Sequence, residues 1–254
     1  MLRLFLFLPL MLLSSFLANP LIAAENTKLL EPMRKPSAPF VLHWAFMDFP
    51  PLVSLNEDGQ ATGDLVTLMN KVSIVSGIKY QAHEFPNLRA IFNLNQDRNN
   101  FSIAVKELVT DKNQFVISAM PVATLQLQVE WKNTSSPIKS IAELKNKDLI
   151  LLTGYTYGGL KETFSSLSKK VINVSNHQRA ITALEKGRGE YALTYKVASD
   201  HITTTSDKNQ FNHIVIDELD LFFILNSNVK DARNVMKKLE EAYLSIAKEV
   251  GPAS

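Results

Sequence analysis

Apolar residues recur along this chain with two periods, one helical and one extended, and the two alternate. From Asp64 onward, Leu65, Leu68, Met69, Val72 and Val75 fall at helical spacing, and Gly77 ends the helix they predict. Residues 79–84 read as a strand, and Pro86-Asn87-Leu88-Arg89 opens another helix with Leu88, Ile91 and Phe92 facing inward. Extended chain is predicted at 40–46 (FVLHWAF), 101–105, 115–119 and 124–131. Paired prolines after the first of these hold an extended turn, Phe49-Pro50-Pro51-Leu52.

The second half repeats the alternation around one stretch, residues 137–164. Ser140 and Glu143 have the spacing of a capping box. Asp148-Leu149-Ile150-Leu151-Leu152 is short and uniformly apolar, as a strand covered on both faces must be. Thr153-Gly154-Tyr155-Thr156-Tyr157 then stops the strand and opens a helix bearing Leu160, Phe164 and Leu167. A turn between a parallel strand's carboxyl end and a helix's amino end is where open α/β sheets place ligands, and its free N–H groups favour an anion. Strands at 171–174 and 191–195 flank a helix capped by Asn176, and 213–216 and 221–225 carry the chain back. Val229, Ala232, Met236, Leu239, Tyr243 and Ile246 line one face of a terminal helix. Strand and helix alternating in both halves predict an α/β fold with mainly parallel sheets.

Composition narrows the class. A net charge of +2 over 254 residues gives no footprint for nucleic acid, and the absence of cysteine removes disulfides, thiolate metal sites and a cysteine nucleophile. The five histidines show no metal-ligand spacing, so neither metal nor cofactor is expected. Residues 4–13 form an apolar run behind Arg3, and Ile22-Ala23-Ala24 precedes Glu25-Asn26: a signal peptide, residues 1–24, cleaved after Ala24. A leader arm at 25–39 would follow, and the mature protein would be periplasmic. Asp217, Glu218 and Asp220 are read as turn acids rather than an acid/base pair, and nucleophile-elbow, P-loop and dinucleotide motifs are missing.

Several of these landmarks together resemble the extracytoplasmic solute-binding proteins of family 3, the type II periplasmic binding proteins that typically serve amino-acid ABC transporters. Phe49-Pro50-Pro51-Leu52 with Asp58-Gly59 and Gly63 is similar to the family's opening signature. Phe85-Pro86-Asn87-Leu88-Arg89-Ala90, the stretches 141–147 and 153–157, and Ile181 to Glu190 follow in the family's order. The resemblance implies two lobes, 40–131 with 216–254 and 132–215, joined by two crossover strands and closing on a ligand in the cleft. It implies a non-catalytic, monomeric binder of a small polar solute, amino-acid-like or a carboxylate, presented to a membrane permease or a membrane sensor. A dehydratase-like enzyme on the same fold and a degenerate module acting through protein contacts are the other readings.

The resemblance also assigns residues. Phe49 and Trp44 at the end of the first strand, Arg89 at a helix start, and Lys106 at a strand end are candidate ligand contacts. Thr153, Tyr155, Thr156 and Tyr157 either line the cleft or pack as turn residues. Two anchors depart from the family. Leu108-Val109-Thr110-Asp111-Lys112 stands where the family carries the arginine that grips the ligand carboxylate. Tyr195 falls near the position of the acid that receives the ammonium.

Overall fold

The structure, a computed structural model, describes residues 40–95, 99–203 and 210–250. The expected signal peptide and leader arm lie outside the described residues. In chain order the elements are β1 (Val41–Phe46), the short hairpin β2 (Ser54–Leu55) and β3 (Ala61–Thr62), and α1 (Asp64–Ser76). Then come β4 (Lys79–Glu84), α2 (Asn87–Asn95), β5 (Phe101–Ala104), β6 (Phe115–Ile117) and β7 (Ala123–Lys132). The second half brings β8 (Asp148–Leu152), α3 (Lys161–Leu167), β9 (Lys170–Val174), α4 (His177–Glu185) and β10 (Tyr191–Tyr195). It closes with α5 (Lys196–Ile202), β11 (Phe211–Asn226) and α6 (Ala232–Val250).

The main sheet runs β4-β1-β5-β11-β7-β10-β8-β9, with β6 beside β11. Its two flanks are parallel: β1 with β4 and β5, and β8 with β9 and β10. Between them, β7 and β11 pair antiparallel from Ala123↔Leu221 to Lys132↔Phe211. β11 is one sixteen-residue strand where the pattern predicts two, because the polar run Asp217 to Asp220 stays in register against Gln126 and Thr124. Glu218 accepts from Gln126 Nε2 at 3.0 Å and Asp220 from the Thr124 hydroxyl at 2.7 Å, so these acids stabilise one end of the ladder instead of breaking it. The irregularity that separates the two expected pieces is a bulge between Val215 and Asp217.

Burial explains the pairing. Leu149 to Leu152 are all buried, as a strand flanked by parallel neighbours and packed on both faces requires. Phe101 of β5 and Phe223 of β11 are fully buried with ring centroids 5.6 Å apart, which fixes the seam where parallel and antiparallel pairing meet. Each such ring contributes about 1.5–3 kcal/mol through burial. Met236, Leu239 and Ile246 of α6 are buried against the same core, with Tyr243 packed edge-on to Phe223.

Three local expectations change. Helix α2 is turned: Ala90 and Leu94 are buried, whereas Leu88 and Phe92 are exposed at 64% and 53%. The small Ala90 lets the helix lie close to the sheet, and Leu88, half a turn earlier, faces the other way. The helix after β8 begins at Lys161, not at Thr153. Tyr157 and Gly158 take φ of 54° and 66°, and the chain passes through a 3-10 turn first. A helix of seven residues starting that late gives no anion site at the 153–157 turn. Finally, Ser140 precedes a single 3-10 turn and makes no backbone cap. Glu143 instead accepts from the Lys139 N–H at 3.3 Å and the Ser140 hydroxyl at 3.4 Å.

Candidate functional site

The carboxyl end of β1 runs into a tight loop that places Phe49. The Phe49 N–H donates to the Val53 carbonyl at 2.8 Å, and the Val53 N–H donates back at 3.0 Å. Gly63 lets this loop lie on the start of α1: at φ 116°, an added Cβ would sit 2.5 Å from the carbonyl oxygens of both Pro51 and Leu52. Leu65 N–H then donates to the Leu52 carbonyl at 2.9 Å, so the loop caps α1 through its backbone.

Across from this loop stands the turn after β8. Gly154 touches the start of α2, where a Cβ would lie 3.3 Å from Asn87 Nδ2 and from Leu88 Cγ. Phe49 is only 3% exposed, enclosed by rings from three other elements. Its centroid lies 4.8 Å from His177, 5.5 Å from Tyr195 and 6.2 Å from Tyr155. Behind them Tyr157 lies parallel to Tyr195 at 6.2 Å, and its hydroxyl accepts from the Leu152 N–H.

Beside this cluster is a cavity of about 100 Å³. Trp44, Phe46, Phe49, Leu108, Tyr155 and Tyr195 contribute to its wall, with Asn87, Ser102 and Thr156 as polar members. No Asp, Glu, Lys, Arg or His is among the described residues that line it. The Ser102 hydroxyl is committed to the Ala45 carbonyl at 2.9 Å. Burial pushes the phenols of Tyr155, Tyr157 and Tyr195 well above their ordinary value, so the wall carries no charge near neutral pH. Burial likewise lowers His177 to about 4 and keeps it neutral. Two buried nitrogens around the cluster, Trp44 Nε1 and His177 Nε2, have no hydrogen-bond partner. Leaving such a group unsatisfied costs about 1–3 kcal/mol.

Of the residues singled out in the sequence, Trp44, Phe49, Tyr155, Thr156 and Tyr195 thus meet at one cavity. Tyr157 supports it from behind. Arg89 is exposed and outside the lining, and its backbone N–H closes the first turn of α2 on Pro86. Thr153 is exposed, its N–H donating to the Val174 carbonyl at 2.8 Å. Lys106 places Nζ 3.7 Å above the ring of Phe222 rather than in the cavity. His177 was not foreseen. It follows the cap residue Asn176, whose side chain accepts from the Arg179 N–H at 2.9 Å, at a strand-to-helix junction. Junctions after parallel strands point toward the ligand side of a sheet, a signal that could have singled it out. Among the described residues, no group of three or more His, Cys, Asp or Glu is placed to hold a metal ion.

No family model and no curated protein matches the chain in sequence. In structure it is similar to an ancestral arginine-binding protein bound to glutamine, at 17% identity and a TM-score of 0.65, over 82% of this chain and 92% of that one. It is similar to a histidine kinase sensor domain related to periplasmic binding proteins, at 15% identity and a TM-score of 0.68, over 83% and 91%. The GluR0 ligand-binding core in complex with L-glutamate aligns at 17% identity and a TM-score of 0.67, over 82% and 94%. The chain therefore has the periplasmic-binding-protein fold, a mixed α/β architecture shared by solute-binding proteins and a sensor domain.

Proposed function

We propose that this protein is an exported, non-enzymatic solute-binding module whose cleft takes a small uncharged solute. The cleft would lie between the lobes 40–131 with 216–254 and 132–215, closing about β7 and β11. The observation that carries the reading is the charge-free wall of the cavity at Phe49, Tyr155 and Tyr195. An amino-acid zwitterion or a carboxylate would leave water at a cost of several kcal/mol per ion, with no charged side chain among the described lining residues to offset it. Leu108, which opens the stretch 108–112 where the family resemblance leads one to expect an arginine, and Tyr195, near the expected acid, are both in the wall. A solute with an apolar body and one or two hydroxyl or carbonyl groups suits the wall better. Asn87 and Thr156 supply donors and acceptors in the lining.

The partner that reads the closed state would be a membrane permease of the ABC type or a membrane sensor. Binding energy gained only on closure shifts the open–closed balance in either case. A thermal-shift screen tests the solute class. Neutral alcohols, ketones, amides and small lactones stand on one side, amino acids and carboxylates on the other. A ligand at 100 times its Kd raises stability by about 2.7 kcal/mol. Selective shifts from the uncharged set, lost in Tyr155→Ala, support the reading; shifts from the amino acids alone would sink it.

A further inference from the structure

The other face of β10 carries a second pocket, independent of the cleft. Strand alternation sends Tyr195 to the aromatic cluster and its neighbour Thr194 to the opposite side of the sheet. There Thr194 is the register partner of Gln128, and Glu130 two residues along β7 is the partner of His213 on β11. Helix α5 covers this face and brings Ser199 down onto it.

Glu130 is 4% exposed and ends as an acceptor twice over. Its Oε2 accepts from the Thr194 hydroxyl at 2.6 Å, and its Oε1 accepts from the Ser199 hydroxyl. Gln128 Nε2 donates to Thr194 Oγ1 at 3.4 Å. Because the Thr194 proton is committed to Glu130, its oxygen can only receive from Gln128, which fixes the orientation of that amide. Gln128 Oε1 is then left buried with no partner. Both hydroxyl protons are spent on one carboxylate, and acceptors outnumber donors.

Above this cluster opens a polar pocket of about 240 Å³. Glu130, Gln128 and Ser199 are its buried members, and Asp200, Asn212 and His213 are exposed around them. No Lys or Arg is among the described residues that line it; Lys196 nearby is engaged by Asp200. Burial raises the Glu130 carboxyl, and the hydrogen bonds from Ser199, Thr194 and Gln128, together with His213, oppose the rise.

We propose that this pocket is a binding site for a small organic cation bearing N–H donors, an alkylammonium or guanidinium head group. Its charge answers Glu130, and its N–H groups meet the surplus acceptors of Glu130 and Gln128. A metal ion fits less well, since the pocket is several times larger than one water molecule's share of volume.

The test is a calorimetric titration of the protein with methylguanidinium chloride and methylammonium chloride. Tetramethylammonium chloride supplies the charge without N–H groups, and sodium chloride at equal ionic strength controls for screening. The expected result is saturable binding of an N–H-bearing cation, at least ten-fold weaker for tetramethylammonium. Binding should fall at least ten-fold in Glu130→Gln and in His213→Lys, which places a fixed cation over the carboxylate, and persist in Tyr155→Ala. His213 is exposed, so that variant decides the matter even where Glu130→Gln does not fold. No saturable binding, equal binding of tetramethylammonium, or binding retained in either folded variant overturns the proposal.

Discussion

His177 ties burial at the aromatic cluster to a measurable pH dependence. Its imidazole falls from its ordinary 6.5 to about 4 because the folded protein withholds water from it. The unfolded chain therefore binds a proton at a pH where the folded chain does not, and stability rises with pH between about 4 and 6.5. The contribution is complete above pH 6.5, falls as the pH drops through this window, and is level below pH 4. At pH 4.5 the loss amounts to about 2–3 kcal/mol. Urea midpoints of the wild type and His177→Gln, compared at pH 7.5 and 4.5, should show a steeper loss for the wild type; parallel losses would mean that the ring is solvated. The sequence shows a histidine after a cap asparagine, but nothing local says that three aromatic rings close over it. The converse holds for Tyr155 and Phe49, legible as candidates for the cavity wall because each sits in a motif of recognisable order. Arg89 and Lys106 show the limit of that method. A long side chain at a promising backbone position still chooses solvent or a ring, and that choice depends on tertiary neighbours.

At the scale of elements, the loop between β1 and α1 is the most constrained piece of the site. Gly63 is required there because two carbonyl oxygens occupy the space a Cβ would need, at a φ that L residues rarely adopt. Gly63→Ala should lower stability by about 2 kcal/mol or more, read as a urea midpoint. It should also weaken solute binding, because the same loop holds Phe49. An unchanged midpoint would show that the loop yields freely. Elements with strong internal pattern were legible: α1, the buried β8, and the amphipathic α6 all sit where apolar spacing puts them. Elements shaped by a neighbour were not. The face of α2 is set by Ala90 and Leu94 meeting the sheet and by Leu88 meeting the turn at Gly154. The start of α3 comes after a turn in which Gly158 approaches Leu219, where an added Cβ would stand 2.5 Å from a methyl of that side chain. Such cross-chain contacts leave no periodic trace.

For the whole molecule, alternation of strand and helix was enough to reach the α/β class, because parallel flanks demand buried apolar strands and long crossovers, while the binding-protein fold was legible only through the ordered motifs of the family resemblance. Charge balance at the cavity was harder to read: the departures at 108–112 and Tyr195 are visible one at a time, but only the assembled wall shows that its described lining carries no charged side chain. Trp44 offers a direct report on that wall, being one of two tryptophans in the sequence and part of the lining, whereas Trp131 is buried against Tyr191 elsewhere. In a Trp131→Phe background, fluorescence comes from Trp44 alone. Titrating that variant with matched uncharged and zwitterionic solutes tests the central claim most directly. The account predicts a saturable change in Trp44 emission with an uncharged solute and none with the zwitterions. A saturable response to the zwitterions, with silence from the uncharged set, would contradict it.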